Sequence, residues 1–330
     1  NIEMFNFASN GSGAAVADAL AGAVRRGVEV NVIVDQAALI GTPPLGALRQ
    51  MRKLRNMGAN VVLNNYLANP PGASYTDHRK VVTVDGEVAF VGGINLGKIT
   101  DSYHDAMFEL RGAAAHELSR EQATRWNEVG KVVSARHSAA LDDAARGARL
   151  VSSPVQLIRN APHLQKFDMT EYYLGRIRGA QKRIWIASPG YSDLRVVDAL
   201  ADAARRGVDV RVISPGKPPL RLPIIVWNAR ANLRRVMDAG GKVYEYPGVS
   251  HLKALIADDE CSLGTYNATR RSAEHDQEIG VTSAHPQVVG QIEQLLSTDI
   301  ARSRRLTGAD MERPVQRATN YLLDHIKLEY

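Results

Sequence analysis

His78 and Lys80 stand two residues apart and are followed by Asp85; His251 and Lys253 repeat the spacing and are followed by Asp258. Both stretches read His-x-Lys-x-x-x-x-Asp. Each runs into a Gly-containing turn that ends in Asn, Gly92-Gly93-Ile94-Asn95 in the first copy and Gly264-Thr265-Tyr266-Asn267 in the second. A carboxylate follows each His by 27 positions, Asp105 after His78 and Glu278 after His251. One such pattern is within reach of chance. Two copies with matched downstream residues are not.

On a strand, His78, Lys80, Val82 and Val84 face one side, and Arg79, Val81, Thr83 and Asp85 the other. His and Lys therefore point into one place, and the apolar residues anchor the strand in a core. A His beside a Lys suits an anionic oxygen substrate: Lys supplies a point charge and His is a nucleophile or a proton donor. The same Lys argues against zinc, because a cation at that place repels a metal. By strand parity Asp85 and Asp258 turn away from the histidines, which predicts a structural role for them, buried and hydrogen-bonded.

Strands and helices must position these groups. The sequence predicts a strand over 2–8, a helix over 14–26 stopped by Gly27, a strand from Val28 to Val34 ending in Asp35, a helix over 45–57 stopped by Gly58, and a strand over 60–64. After the first motif come a strand at Ala106–Leu110 and a helix over 114–128. Residues 131–152 read as a connecting segment. The second half then replays the first. The run from Val196 to Ile213 matches the run from Val16 to Ile33 and is identical at most of its eighteen positions. Strand 184–188 answers strand 2–8, and helix 222–239 answers helix 45–57. A helix over 169–182, with Asp168 and Glu171 arranged as a capping box, has no counterpart before strand 2–8. That predicts an equivalent helix upstream of Asn1 in the natural protein. His285-Pro286 opens a helix with Pro at its first position, and further helices are predicted over 298–306 and 314–328. Tyr321, Leu322 and Ile326 give the last an apolar stripe, suited to docking on the core. Strands alternating with helices, twice over, predict an α/β protein of two similar domains, 1–150 and 151–330, related by a pseudo-two-fold axis.

Composition sets outer bounds. The chain has 330 residues, 45% apolar and 23% charged, ordinary for a globular protein of two domains. Its net charge of +6 favours an anionic partner such as a phospholipid surface, a nucleic acid or a phosphorylated metabolite. Cys261 is the one cysteine, which excludes an internal disulfide and a multi-thiolate metal site and suits a buried, inert thiol. No apolar run reaches the length of a membrane span.

The doubled His-x-Lys-x-x-x-x-Asp, with Ala89-Phe-Val-Gly-Gly-Ile-Asn95, the 199–210 run and Arg271-Ser272 followed by Glu278, resembles the phospholipase D superfamily over nearly the whole chain. It is most similar to bacterial phospholipase D-like and cardiolipin synthase-like proteins. The resemblance implies two α-β-α sandwich domains with one active site at their interface. One His attacks phosphorus to form a phosphohistidine, and the other protonates the leaving alcohol, then activates water or an acceptor alcohol. His78 is assigned as nucleophile and His251 as acid/base, with the exchanged assignment open. Lys80 and Lys253 would neutralise the non-bridging oxygens, and Asn95 and Asn267 would donate further hydrogen bonds to the substrate phosphate. Asp105 and Glu278 match the acids that fix the tautomer of a catalytic His, each expected to accept from its own copy's His, Asp105 from His78 and Glu278 from His251. Thr265 stands where relatives usually have Ser and keeps the hydroxyl. Thr269 stands where cardiolipin synthases commonly carry Asp.

Other residues carry further expectations. Tyr266 and Thr265 in the second turn, and Tyr191 after Ser188-Pro189-Gly190, are pocket candidates, with packing the competing role for Tyr191 and for Trp227. His104 and His275 each precede an Asp and read as solvated loop residues. Arg221, Arg230, Arg234 and Arg235 form either an anionic-lipid patch or a solvated helix face. The expected activity is a metal-independent, cofactor-free phosphodiesterase or phosphatidyltransferase acting on glycerophospholipids at a membrane surface, as a monomer because both motifs lie in one chain. The alternative is a nuclease of the same superfamily, disfavoured by an aromatic content of only 6%. Compartment is left open between cytoplasmic and secreted, soluble or peripheral to a membrane.

Overall fold

The structure is a computed structural model that describes residues 1–35, 44–64, 75–129, 154–218 and 223–311. The connecting segment 131–152, the helix expected over 314–328 and Arg221 lie outside these residues. The chain divides into two compact units. The first is Asn1–Ser102 with Met107–Leu157; the second is Ile158–Tyr330 with the short segment Tyr103–Ala106.

In the first unit, β1 (Ile2–Met4), β2 (Asn31–Asp35), β3 (Asn60–Asn64), β5 (Lys80–Val84), β6 (Val88–Gly92) and β7 (Met107–Arg111) form one sheet in the order β3-β2-β1-β5-β6-β7; β4 (Thr76–Asp77) precedes the motif strand. Strands β1, β2 and β3 run parallel, and β5 joins β1 antiparallel with Met4 opposite Lys80. Alternation along these strands feeds two apolar layers. Ile2, Met4, Val32 and Val34 pack on Ala17 and Ala21 of α1 (Ser12–Arg25) and Met51 and Leu54 of α2 (Pro44–Asn56). Ile33 and Val62, pointing the opposite way, meet Trp126 of α3 (Ala113–Glu128). Burying a side chain of this size stabilises the fold by about 1.5–3 kcal/mol. Gly27 and Gly58 follow α1 and α2 with φ of 81° and 107°, the left-handed geometry expected of the predicted stops.

The second unit repeats the plan. Its core strands are β10 (Arg183–Ala187), β11 (Asp209–Pro215), β12 (Lys242–Tyr246), β13 (Ala254–Ala257), β14 (Glu260–Gly264) and β15 (Asp276–Ser283), in the order β12-β11-β10-β13-β14-β15. That is the strand order of the first unit, again with three parallel strands followed by an antiparallel run. β8 (Gln156–Ala161) and β9 (Lys166–Phe167) extend the sheet beyond β15, and β16 (Arg304–Arg305) extends it beyond β12. One face carries α4 (Asp168–Gly179), α5 (Leu194–Arg205) and α6 (Pro223–Asp238), whose Met169, Ile177, Leu200 and Leu233 pack on Ile184, Val212 and Leu255. α8 (Pro286–Arg302) packs against β13 and β14, and a short α7 (Arg270–Glu274) precedes β15.

Two local expectations fail. The capping box at Asp168 does not form, because Asp168 is already inside α4 and no side chain of the cap residue Phe167 bonds the helix end. Asn160, from β8, caps it instead: its Oδ1 accepts from the N–H groups of Met169 and Thr170 at 3.0 and 3.3 Å. A separate helix over 298–306 is absent too. α8 runs unbroken from Pro286, at its first position as predicted, to Arg302, and residues 304–305 pair with β12 as strand.

Candidate active site

The His-x-Lys spacing does the same local work in both units. Lys80 Nζ donates to the carbonyl oxygen of His78 at 2.5 Å, and Lys253 Nζ donates to that of His251 at 2.5 Å. Both lysines are wholly buried, so each ammonium sits beside its own His without a hydration shell. In the first unit the His78 ring meets Phe5 edge-on at 4.8 Å, and Lys80 Nζ lies 4.8 Å from the centre of the same ring. Asn95 is buried, its Oδ1 accepting from the Asn6 N–H at 3.2 Å.

In the second unit the contacts of the motif His include a carboxylate. Asp105 Oδ2 lies 2.6 Å from His251 Nδ1. Asp105 was expected to serve His78, the histidine of its own copy; it pairs with His251 instead. The reason is topological. The segment Tyr103–Ala106 leaves the first unit's sheet just before β7 and lies alongside residues 249–251. The His104 N–H donates to Val249 O at 2.9 Å, and the His251 N–H donates to His104 O at 2.8 Å. Asp105 is thereby carried to the second His. Nδ1 also lies 2.7 Å from Lys253 Nζ. One ring nitrogen cannot donate to a carboxylate and accept from an ammonium at once. The carboxylate can only accept, so Nδ1 carries the hydrogen and donates to it, and the free lone pair is assigned to Nε2.

Electrostatics follow from burial. Burial is the largest influence on Asp105 and would raise it, but the charges of Lys253 and His251 and the bond from His251 more than offset that and hold the carboxyl below its ordinary value. Burial pushes the Lys253 ammonium down to about 8, against partial support from Asp105 and Glu278. Glu278 is buried in β15, and the Thr265 hydroxyl donates to its Oε2 while accepting from the Ile279 N–H at 2.9 Å. Thr265 thus acts through its hydroxyl. Asn267 is half-buried, with its N–H on Ser272 Oγ at 3.3 Å.

The two motif aspartates close turns. Asp85 and Asp258 have φ of 54° and 53°, a left-handed conformation that Asp tolerates better than most residues. Asp258 is half-buried and accepts from the N–H groups of Gln181, Lys182 and Arg183 at 2.8–3.0 Å. Asp85 is exposed, which corrects its expected burial: it lies beyond the last buried position of β5.

Among the remaining candidates, Tyr266 and Tyr191 are core residues, each 1% exposed. Tyr266 packs on Tyr173 at 4.8 Å, and the Tyr191 hydroxyl donates to Ile213 O at 2.8 Å. Cys261 is buried, its thiol pushed up to about 11 by burial. Arg230, Arg234 and Arg235 are each paired, with Glu245, Asp238 and Asp198. His104 was expected in solvent; it is half-buried and bonded to Asp299. No local signal could have found that contact, because Asp299 lies 195 residues away.

These features define a duplicated α/β chain with one His-x-Lys motif per unit. The family described as cardiolipin synthase, phospholipase D-like domain, matches residues 1–126 and 173–300, and the chain belongs to it. The chain is 30% identical over 308 residues to the cardiolipin synthase of Staphylococcus aureus strain N315, covering 86% of this chain and 58% of that protein. It is 26% identical over 327 residues to cardiolipin synthase 1 of Staphylococcus epidermidis, covering 93% and 64%. The chain therefore spans about three-fifths of the curated relatives it matches. Among solved structures, phosphatidylserine synthase of Haemophilus influenzae aligns over 99% of this chain and 87% of its own, at a TM-score of 0.73 and 16% identity. Polyphosphate kinase of Porphyromonas gingivalis aligns over 99% and 48%, at 0.60 and 15%. Both likenesses are of fold. Among the described residues, no helix is long and apolar enough to cross a membrane.

Proposed function

We propose that this chain is a phosphatidyltransferase of the cardiolipin synthase type, exchanging the headgroup of a glycerophospholipid through a covalent phosphohistidine. The observation that carries the reading is the Asp105–His251 pair with buried Lys253 beside it, in a chain of this family. An imidazole whose tautomer is fixed by a carboxylate is suited to hand a proton to a leaving alcohol and take one from an incoming alcohol.

In this reading His78 attacks phosphorus, and the bond to the leaving alcohol breaks as the His251 imidazolium gives that oxygen its proton. His251, now neutral, removes a proton from an acceptor alcohol or from water. The oxygen so activated attacks phosphorus, and the bond to His78 breaks. Lys80 and Lys253 supply positive charge to the non-bridging oxygens, most strongly as the charge builds in the transition state. Asn95 and Asn267 supply hydrogen bonds, and Asp105 and Glu278 hold the imidazoles. The same scheme serves hydrolysis, and the acceptor that outcompetes water decides between the two outcomes.

The test supplies mixed phosphatidylcholine and phosphatidylglycerol vesicles with ethanol and EDTA to wild type and to His78→Ala. Phosphatidylethanol from wild type only supports a lipid substrate and a covalent intermediate without a metal. Cleavage of single-stranded DNA under the same conditions, with no lipid product, would replace this reading with that of a nuclease.

A further inference from the structure

Asp105 reaches His251 on a segment only four residues long, Tyr103–Ala106. Two backbone hydrogen bonds hold this segment to residues 249–251. By themselves they set its height along the strand but leave it free to roll about its axis, and rolling would swing Asp105 off Nδ1. The neighbouring side chain is placed to oppose this. Successive side chains of an extended segment point to opposite sides, so while Asp105 faces His251, His104 faces the body of the second unit. His104 Nε2 lies 2.7 Å from Asp299 Oδ2 of α8, a carboxylate that is 1% exposed. Its ring stacks on Tyr246 of β12, with centroids 4.6 Å apart and planes 13° from parallel. Asp299 Oδ1 is buried and has no hydrogen-bond partner among the described residues, so His104 is the group that answers this carboxylate. At the matching position of the second copy, just before Glu278, the residue is Gln277.

We propose that Asp299 and Tyr246 grip His104 as a latch that fixes Asp105 on His251, which makes His104 and Asp299 positioning residues for the reaction. The inference rests on the proposed role of His251. A displacement of about 1 Å in a catalytic contact costs on the order of 100-fold in rate, so a segment this short needs such a restraint. A latch leaves a signature that a merely stabilising contact does not. It acts on the Nδ1–H bond of His251, and it acts on turnover rather than on substrate binding.

The experiment measures kcat and KM by transphosphatidylation and the far-downfield imidazole N–H proton resonances by NMR. The full chain is compared as wild type and as His104→Ala, His104→Gln, Asp299→Asn and His251→Ala. His251→Ala identifies the resonance of the His251–Asp105 bond by its loss and abolishes turnover; if turnover persists in that variant, the reading of His251 fails and the latch with it. With His251 established, His104→Ala is expected to lower kcat by ~10- to 100-fold with KM within about twofold, and to lose the same resonance. Gln places an amide N–H near the position of Nε2, so His104→Gln is expected to recover most of kcat and the resonance. Asp299→Asn is expected to weaken both. A His104→Ala protein that keeps the resonance and kcat overturns the latch. So does one that is less stable to heat yet unchanged in both readouts. Should His104→Ala fail to fold, the resonance and kcat of Asp299→Asn decide, and their persistence overturns the proposal.

Discussion

The two motif strands differ most on the face turned away from the histidines. In the first unit Asp77 and Arg79, either side of His78, enter a buried ion network. Arg79 Nη2 lies 2.7 Å from Glu3 and Nη1 3.2 Å from Glu121, while Arg125 Nε lies 2.8 Å from Asp77. Asp35 tightens the group by accepting the Asp77 N–H at 2.7 Å. In the second unit the residues either side of His251 are Ser250 and Leu252, and the position matching Glu3 is Ala187, as the pairing of β10 with β13 requires. One repeat therefore holds its motif over fixed charges and the other over a close-packed apolar core. Charge defines orientation through geometry but costs desolvation; apolar packing gives stability with less directional constraint. The histidine flanked by apolar packing is the one that receives Asp105 and the His104 contact from a segment of the other half of the sequence.

The charged side has its own titration order. Burial, the largest influence, raises Glu3 well above the usual carboxylate value. Burial acts on Asp77 in the same sense, but Arg125 and Arg79 more than offset it and hold that carboxyl far below its ordinary range. Burial and the two guanidinium groups thus push Glu3 and Asp77 in opposite directions.

Changes that exchange the two undersides should have the largest effects. Leu252→Arg puts a cation into the apolar side with no acid at Ala187 or Ser250 to meet it, and the second unit is expected not to fold, as circular dichroism would report. Arg125→Met in the first unit leaves Asp77 short of a partner and is expected to cost about 3–5 kcal/mol in denaturant unfolding. A cost below about 1 kcal/mol would mean that the network contributes only orientation. Because the folded value of Asp77 is depressed, its contribution is fully present above the ordinary carboxylate range. It is lost as pH falls through the folded value, and Arg125→Met should flatten that acid limb. Thr265→Val removes the donor to Glu278 and is expected to cost about 1–3 kcal/mol and to reduce turnover, whereas Thr265→Ser should restore both.

Lys253 supplies the finest comparison. Its charge is lost as pH rises through about 8, so kcat/KM is expected to fall through that region, and Lys253→Arg should move the limb to higher pH. The stability effect has the opposite sense. Between about 8 and the ordinary 10.5 the unfolded chain holds a proton that the folded chain has released, so this group's contribution to stability rises with pH.

Much of this was legible in the sequence because local rules govern it. The 3.6-residue and two-residue periodicities place the helices and strands, and the doubled 16–33 and 196–213 runs point to two units of one strand order. The Asp105 pairing was not legible. Its spacing from His78 equals that of Glu278 from His251, which suggests pairing within each copy, and nothing in residues 103–106 announces that they join the other unit. The Asn160 cap on α4 escaped for the same reason: a tertiary donor replaces a local box. Tyr266 shows a third limit, since a residue inside a motif turn can point into the core, where it packs on Tyr173.

The most direct test of the division of labour is to map the covalent intermediate. Wild type, His78→Ala and His251→Ala would be mixed with phosphatidylglycerol labelled in its phosphate, quenched within one turnover, digested and analysed by mass spectrometry. With His78 as nucleophile, a phosphatidyl adduct is expected on the peptide containing His78, present in wild type and absent from His78→Ala. An adduct on His251 that persists in His78→Ala would contradict it, and would make the histidine held by Asp105 the nucleophile.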